Sequence, residues 1–116
     1  MSDHAWIKEF PGAIIVCDPK GIILEMNQRA IKSYESQGGA GLIGTNMLDC
    51  HPPAAREKLQ GMMERQEANS YTIEKKGHYR FIYQTPWYQE GKYAGFVELV
   101  LPIPAKMPHF IRDVVG

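Results

Sequence analysis

The chain has 116 residues, the length of a single domain. With 44% hydrophobic and 22% charged residues, its composition is that of a soluble globular protein and not of a disordered one. Its formal net charge is zero and it contains no basic block, which argues against nucleic-acid binding because neutralising phosphates requires a positive patch.

We expect neither export nor membrane insertion. The longest apolar runs fall far short of the roughly 18 residues that a membrane span requires. The segment Met1–Trp6 lacks the basic stretch and apolar core of a secretory signal. The two cysteines, Cys17 and Cys50, lie in unrelated contexts, which favours free thiols in a reducing compartment. These features predict a cytoplasmic chain without membrane contact.

A short amphipathic helix is predicted at Ser2–Phe10, and Pro11-Gly12 stops it. A helix of this length is unstable alone and must pack on something. Either it covers its own sheet, or its aromatic side chains join a second subunit. We therefore expect residues 1–12 to form a cap, and the residues of the apolar face to contribute to a homodimer interface: Trp6, Ile7 and Phe10.

A β-hairpin is predicted next, with strands Ala13–Cys17 and Ile22–Met26. The tetrad Asp18-Pro-Lys-Gly21 between them has the residues of a type I turn. Asn27 follows directly and is expected to cap a helix over Gln28–Glu35. We expect the rest of the chain to be organised around this hairpin, in the middle of the sheet.

The centre of the chain is predicted to be helical. Three glycines break the first helix within Ser36–Gly41, and a helical turn is expected at Met47–Cys50. Proline at the start of a helix predicts a longer one over Pro53–Ala68. Its apolar positions follow helical spacing, which is typical of one buried face: Leu59, Met62 and Met63.

Three antiparallel strands are predicted to complete the fold, at Tyr71–Lys75, His78–Tyr88 and Tyr93–Ile103, because short turns join them. Alternation along the second of these strands places Ile82 on one face of the sheet and Tyr83 and Thr85 on the other. Residues 105–116 are expected to form a tail, either frayed or a short helix.

This order of elements resembles a PAS domain, in the form of a small bacterial stand-alone sensory module. The matching landmarks are the Asp-Pro-Lys-Gly hairpin, Asn27, Leu42-Ile-Gly44 and the segment Gly91…Gly95-Phe-Val-Glu98. The resemblance covers about 90 residues. It implies an α+β fold over residues 13–104, with a PAS-like five-stranded antiparallel sheet and helices packed on one face.

The resemblance also implies a pocket between the sheet and the helices. Its walls would suit a small apolar or aromatic ligand. The alternative is that the same side chains simply fill the core, since protein interiors are close-packed. The expected pocket residues are Ile31, Tyr34, Met47, Leu48, Cys50, His51, Leu59, Met62, Met63, Ile82, Tyr83, Thr85 and Val97.

The pattern argues against haem, flavin and a metal site. Asp49-Cys50-His51 contains ligand-type side chains, but contiguous residues rarely converge on one metal, and no spaced partner motif occurs. Haem-binding PAS domains carry a histidine within the long helix, where this chain has none. Flavin-binding relatives carry a reactive cysteine where this chain has Met47. A chromophore attached to Cys50 would need an accompanying carboxylate and tyrosine, and neither can be placed in this sequence. The sequence therefore does not identify a cofactor.

A sensory or regulatory role follows from the resemblance. Cys50 next to His51 does not give the geometry of a nucleophile and base, and no phosphate-binding glycine loop follows a strand, so we expect no enzyme. If this is the entire protein, we expect it to have no attached output domain. The module is expected to signal through dimer rearrangement or an unknown signalling protein. The alternative is a protein-interaction or dimerisation module with a filled core and no ligand.

Overall fold

The computed structural model describes residues 5–113, and for Cys50 it describes the backbone only. Five strands and three α-helices form the fold. The strands are β1 Ala13–Cys17, β2 Ile23–Met26, β3 Asn69–Lys75, β4 His78–Gln89 and β5 Lys92–Ile103. The helices are α1 Ala5–Lys8, α2 Gln28–Ser33 and α3 Pro53–Arg65, with 3-10 turns at Glu35–Gln37, Gly39–Leu42 and Met47–Cys50.

The strands form one sheet in the order β2-β1-β5-β4-β3, with every neighbouring pair antiparallel. The predicted α+β class, with five antiparallel strands and helices on one face, is confirmed. The predicted place of the hairpin is wrong. The β1–β2 hairpin forms one side of the sheet and β5 lies at its centre, because β1 pairs with β5 from Ala13↔Val100 to Cys17↔Phe96.

Most element boundaries differ from prediction by one or two residues, and α3 differs by three. The α3 helix ends at Arg65 because Gln66 adopts the left-handed conformation, with φ 53°, and its N–H bonds back to the carbonyls of Met62 and Met63. At the other end of the chain, residues 104–113 contain neither helix nor strand. The predictions for residues 1–4 and 114–116 lie outside the described residues.

The β1–β2 turn is held by the carboxylate of Asp18. Its Oδ1 accepts hydrogen bonds from the N–H groups of Lys20, at 2.8 Å, and Ile22, at 2.9 Å. Gly21 takes φ +92°, a conformation that a residue with a side chain rarely adopts. This confirms the turn expected from the sequence.

The outer edge of β2 is covered by the segment Gly44–Met47. Gly44 N–H donates to the Ile23 carbonyl, and Ile23 N–H donates to the Thr45 carbonyl. The side chain of Asn46 accepts from Leu48 N–H and donates to the Lys20 carbonyl. Because its backbone is paired, this edge presents few unpaired backbone N–H and C=O groups to another strand.

Asn27 joins three segments and is itself buried, at 4% exposure. Its Oδ1 accepts from Ala30 N–H at 3.1 Å, which caps α2, and from Ile14 N–H at 2.9 Å, which ties that helix to β1. Its Nδ2 donates to the carbonyls of Gly12, at 2.8 Å, and Ile7, at 3.1 Å. The sequence predicted the cap alone.

Two apolar clusters lie between the sheet and the helices. One packs α2 and the glycine-rich turn on the β1–β2 hairpin: Ala13, Ile15, Ile23, Met26, Ala30 and Leu42. The other packs α3 on the ends of β1 and β5: Cys17, Leu59, Met62, Met63 and Phe96. No helix of the described residues is long and apolar enough to cross a membrane.

Replacing Asn27 tests whether it is more than a helix cap. Asn27→Ala leaves the buried N–H groups of Ile14 and Ala30 without acceptors, and we expect the free energy of unfolding to fall by about 2–4 kcal/mol. Asn27→Asp keeps the acceptor but places a carboxylate oxygen against two carbonyls, so it also destabilises at pH 7. Urea denaturation measures both changes.

Asn46→Asp is the matched control, because Asn46 caps a turn in the same way but donates to an exposed carbonyl. We expect a change below about 0.5 kcal/mol there. If Asn27→Asp were as well tolerated as Asn46→Asp, the donated hydrogen bonds to Gly12 and Ile7 would contribute nothing to stability.

Candidate ligand-binding cleft

The two faces of the sheet carry different side chains, because residues alternate along each strand. Gln84 on β4 pairs with Glu98 on β5 and with Asn69 on β3, and all three face the helices. Their sequence neighbours Tyr83 and Thr85 face the opposite side, where Tyr83 lies beside Phe81 with the rings 6.1 Å apart. The inner face is therefore partly polar, and the outer face is largely apolar.

A cleft of about 330 Å³ lies between α3 and the inner face of β3, β4 and β5. This volume is at the small end of the range for ligand sites. Its helical wall is mostly apolar and its floor is polar. The lining residues are Tyr34, His51, Ala55, Lys58, Leu59, Met62, Asn69, Tyr71, Gln84 and Glu98.

A row of hydrogen-bonded side chains forms the floor of the cleft. Gln84 Nε2 donates to Glu98 Oε2 at 2.8 Å, and Asn69 Nδ2 donates to Gln84 Oε1 at 3.2 Å. The carboxylate fixes the direction of the row, because it can only accept. Gln84 must turn its NH₂ to Glu98, so its oxygen faces Asn69. The row therefore ends in a carboxylate on the central strand.

His51 lies where the wall and the floor meet. Pro52 and Pro53 end the preceding 3-10 turn and begin α3, which holds residue 51 in an extended conformation with φ −109°. His51 Nδ1 lies 2.8 Å from the carbonyl oxygen of Met47. Since a carbonyl only accepts, Nδ1 carries the proton, and in the neutral ring Nε2 is an acceptor.

A small apolar cavity of about 30 Å³ adjoins the cleft. The two share Tyr34, His51 and Glu98 as lining residues. The remaining wall of the cavity is apolar: Ile15, Ile23, Met26, Leu42 and Met47. A volume of this size admits a methyl-sized group or one water molecule.

Comparison with protein-family models and with curated proteins finds no match. Solved structures do match. The PAS domain of an HTR-like protein from Haloarcula marismortui is 19% identical with a TM-score of 0.57, covering 85% of this chain and 92% of that one. The Aer2 receptor from Vibrio cholerae, a dual PAS-haem oxygen sensor, is 14% identical with a TM-score of 0.60, covering 79% and 94%. This chain has a PAS fold.

A third match is VqmA of Vibrio cholerae, in a structure bound to DPO. It is 18% identical with a TM-score of 0.62, and the match covers 85% of this chain and 56% of that one. All three identities are low, so the matches establish the PAS fold and leave the ligand open. The cleft occupies the space between sheet and helices in which the resemblance implied a pocket.

Five of the predicted pocket residues border this PAS cleft or its apolar cavity: Tyr34, Met47, His51, Leu59 and Met62. Ile31 and Ile82 pack in the core instead, and Ile82 is only 4% exposed. The side chain of Cys50 lies outside the described residues.

Five predicted pocket residues lie away from the cleft. Leu48 and Met63 border a separate surface cleft on the other side of α3, beside Tyr93. Tyr83, Thr85 and Val97 belong to the outward register of β4 and β5; Val97 pairs with Val16 and Thr85, and it borders a void of about 10 Å³. The prediction assigned residues from both faces of β4 to one pocket, and in the structure these residues lie on opposite sides of the sheet.

The polar floor was missed by the sequence reasoning. Ile82 was correctly separated from Tyr83, and the same alternation puts Gln84 on the side of Ile82. Polar side chains at Asn69, Gln84 and Glu98 in an otherwise apolar inward register were the available signal. Among the described residues no group of three or more His, Cys, Asp or Glu side chains could hold a metal ion.

The carboxylate of Glu98 affects nearby titrating groups. Burial raises the pKa of the Tyr71 phenol, and the charge of Glu98 raises it further. Burial raises the pKa of the Cys17 thiol from 9.0 to about 11; a hydrogen bond from the Phe96 backbone opposes this, and the charges of Asp18 and Glu98 add to it. Cys17 is 1% exposed and its thiol is free.

The raised pKa predicts that Cys17 is inert in the folded protein. At pH 8 its thiolate fraction is about a hundredfold lower than that of an ordinary cysteine, and burial blocks access as well. In the Cys50→Ser variant, which keeps this one thiol, we expect Ellman's reagent to react at the normal rate in urea and more than a hundredfold more slowly in buffer. Rapid reaction in buffer would contradict the burial.

The same shift has a consequence for stability. Between pH 9 and pH 11 the unfolded chain releases this proton while the folded chain keeps it, so the free energy of unfolding decreases as the pH rises through that window.

Proposed function

We propose that this chain is a sensory module in which a small apolar or aromatic molecule binds in the cleft between the PAS sheet and α3. The observation that carries the proposal is the cleft of about 330 Å³, which combines an apolar wall with a polar floor. A ligand site of this kind gains affinity from apolar burial and selectivity from a few polar groups. Binding, and not catalysis, is the proposed activity.

Ligand binding would act on the position of α3. Three side chains, Leu59, Met62 and Met63, anchor this helix on the core, and two of them also border the cleft. Methionine is flexible and adapts to a changed neighbour. A ligand can shift the packing only if it binds the two arrangements unequally. A molecule between Met62 and the floor satisfies that condition if it fits one position of α3 better than another.

Two of the matching structures support a small-molecule role. The VqmA structure is bound to DPO, and the Aer2 receptor is described as a haem oxygen sensor. Those ligands belong to those proteins. What transfers to this chain as a proposal is the binding of a small molecule by a PAS fold.

We also propose that the response passes through a homodimer, with an unknown signalling protein as partner and the cytoplasm as location. Trp6 is 66% exposed and its ring lies edge-on to Phe10, with centroids 5.9 Å apart. Ile7 borders a groove over the outward residues Ile14, Val16 and Leu24. The face of α1 and the outer side of the sheet thus form one continuous apolar surface, which fits a subunit interface.

The second candidate is an interaction module that binds no ligand. It is favoured by the same apolar surface, where Leu24 is 45% exposed and Tyr83 is 36% exposed. In that case Trp6, Phe10 and the outer face of the sheet carry the function, and the cleft is incidental.

Filling the cleft tests the first candidate. Met62→Trp places a bulky indole ring in the cleft, where it would exclude a ligand. We expect the ligand mass retained in native mass spectrometry of the purified chain to disappear. A screen of single-ring aromatic compounds by ligand-observed NMR should also lose its hits. Met63→Trp is the matched control, because Met63 borders the separate surface cleft on the other side of α3 and not the proposed ligand cleft. No retained mass and no hit with the unmutated chain would favour the ligand-free candidate.

Charging α1 tests the dimer. We expect the unmutated chain to sediment at twice its monomer mass, and Trp6→Glu to sediment as a monomer, because a carboxylate in an apolar interface is costly. Tyr88→Glu is the control: Tyr88 is 53% exposed, near the β4–β5 turn. A dimer that survives Trp6→Glu would show that α1 is not the contact.

A further inference from the structure

The cleft contains one charged side chain among apolar neighbours. Glu98 lies on β5, the central strand, between the inward-facing residues Phe96 and Val100. On the neighbouring strands it faces Ile15 of β1 and Gln84 of β4. A carboxylate at this place loses part of its hydration, which is unfavourable unless other groups replace the lost water.

The protein replaces that hydration only in part. Oε2 of Glu98 accepts one hydrogen bond from Gln84, and among the described groups, which exclude the side chain of Cys50, no hydrogen bond or ion pair reaches Oε1. Lys58 is the cation on the cleft wall; it is exposed to solvent and does not come within 4 Å of the carboxylate. The floor of the cleft at Glu98 is thus an acceptor with spare capacity and a negative charge.

We propose that the ligand carries a charged N–H donor group, an amine or amidine, on a small apolar or aromatic body. This rests on the proposed function and names the ligand class of the same cleft. The donor group meets Glu98 Oε1 and, beside it, the ring of His51. The body lies against Leu59 and Met62, and a methyl-sized end reaches the cavity at Ile15 and Met47.

The alternatives fit the site less well. An anionic ligand would place its charge against Glu98, and in a partly dehydrated cleft that repulsion is stronger than in water. The ammonium of Lys58 does not offset it, because an exposed cation is already stabilised by solvent. A purely apolar ligand would cover the carboxylate without replacing its lost hydration. A donor with positive charge forms the shorter and stronger hydrogen bond.

Three isosteric probes separate these cases: benzamidine, benzamide and benzoate, which differ only in the charge and donors of one group. We expect NMR titration to place benzamidine in the cleft with a Kd at least tenfold below that of benzamide, and benzoate to bind more weakly still. Equal affinities of benzamidine and benzamide, or tighter binding of benzoate, would overturn the proposed ligand class.

Removing the charge of Glu98 tests whether this carboxylate causes the preference for benzamidine over benzamide. Glu98→Gln keeps the size and the contact with Gln84, so we expect benzamide binding to persist, which also shows that the variant is folded, while the preference for benzamidine falls to about one. Glu90→Gln changes the net charge equally but lies in the β4–β5 turn, and it should leave the preference unchanged. A preference that survives Glu98→Gln would refute the assignment.

Lys58→Met allows a second measurement of the preference for benzamidine, in a variant that keeps the hydrogen-bonded floor of the cleft unchanged. It removes the competing cation from the mouth, so the preference for benzamidine should persist or rise; a loss would contradict the proposal. Different results would contradict the ligand class and the sensory function. If benzoate or toluene shifts the cleft resonances and benzamidine does not, the ligand class is wrong and the sensory function stands. If no probe shifts them and no mass is retained, the sensory function itself fails.

Discussion

The carboxamide of Asn27 is the contact on which the arrangement of the N-terminal half depends. A single side chain satisfies two backbone N–H groups and two carbonyls, and these belong to α1, the segment before β1, β1 itself and α2. Buried backbone groups need partners, and each of these would otherwise be costly to bury. An amide suits the position because it offers two N–H donors and an oxygen that accepts twice, whereas the hydroxyl of serine or threonine has only one donor. Helix, hairpin and cap segment are thereby fixed relative to one another by one group.

The two sides of the sheet differ in how their inner faces are packed. The β1–β2 side is packed with apolar side chains under α2, as Ala30, with no exposed surface, illustrates. On the β3–β4 side the inward residues Asn69, Gln84 and Tyr71 replace apolar packing, and α3 spans a cleft there instead of a filled core. Natural sequences depart from the expected pattern mainly where function requires it. The polar row contributes less packing than three apolar residues at the same positions would, which is why we propose a function for it.

The sequence predicted what is local. The hairpin was found because Asp18 and Gly21 are turn residues, and the start of α3 because Pro53 suits a first helical position. What could not be found depends on contacts between distant segments. The β1–β5 pairing joins strands some 80 residues apart, and it moves the hairpin to one side of the sheet. For the same reason only some of the predicted pocket residues border the cleft. Alternation separates Ile82 from Tyr83, but both faces of β4 and β5 carry apolar residues, and only the packing of the helices decides which face is covered.

The strand β1 relates the cleft to the outer surface. Ile15 borders the apolar cavity, while its neighbours Ile14 and Val16 border the outer groove together with Ile7. The backbone N–H of Ile14 is bonded to Asn27, whose amide also holds the carbonyl of Ile7 in α1. The contacts between Ile15 and α1 therefore run through one strand and one side chain. Because a close-packed interior transmits displacement between contacting groups, a small molecule on the inner face has a short physical route to the proposed dimer surface.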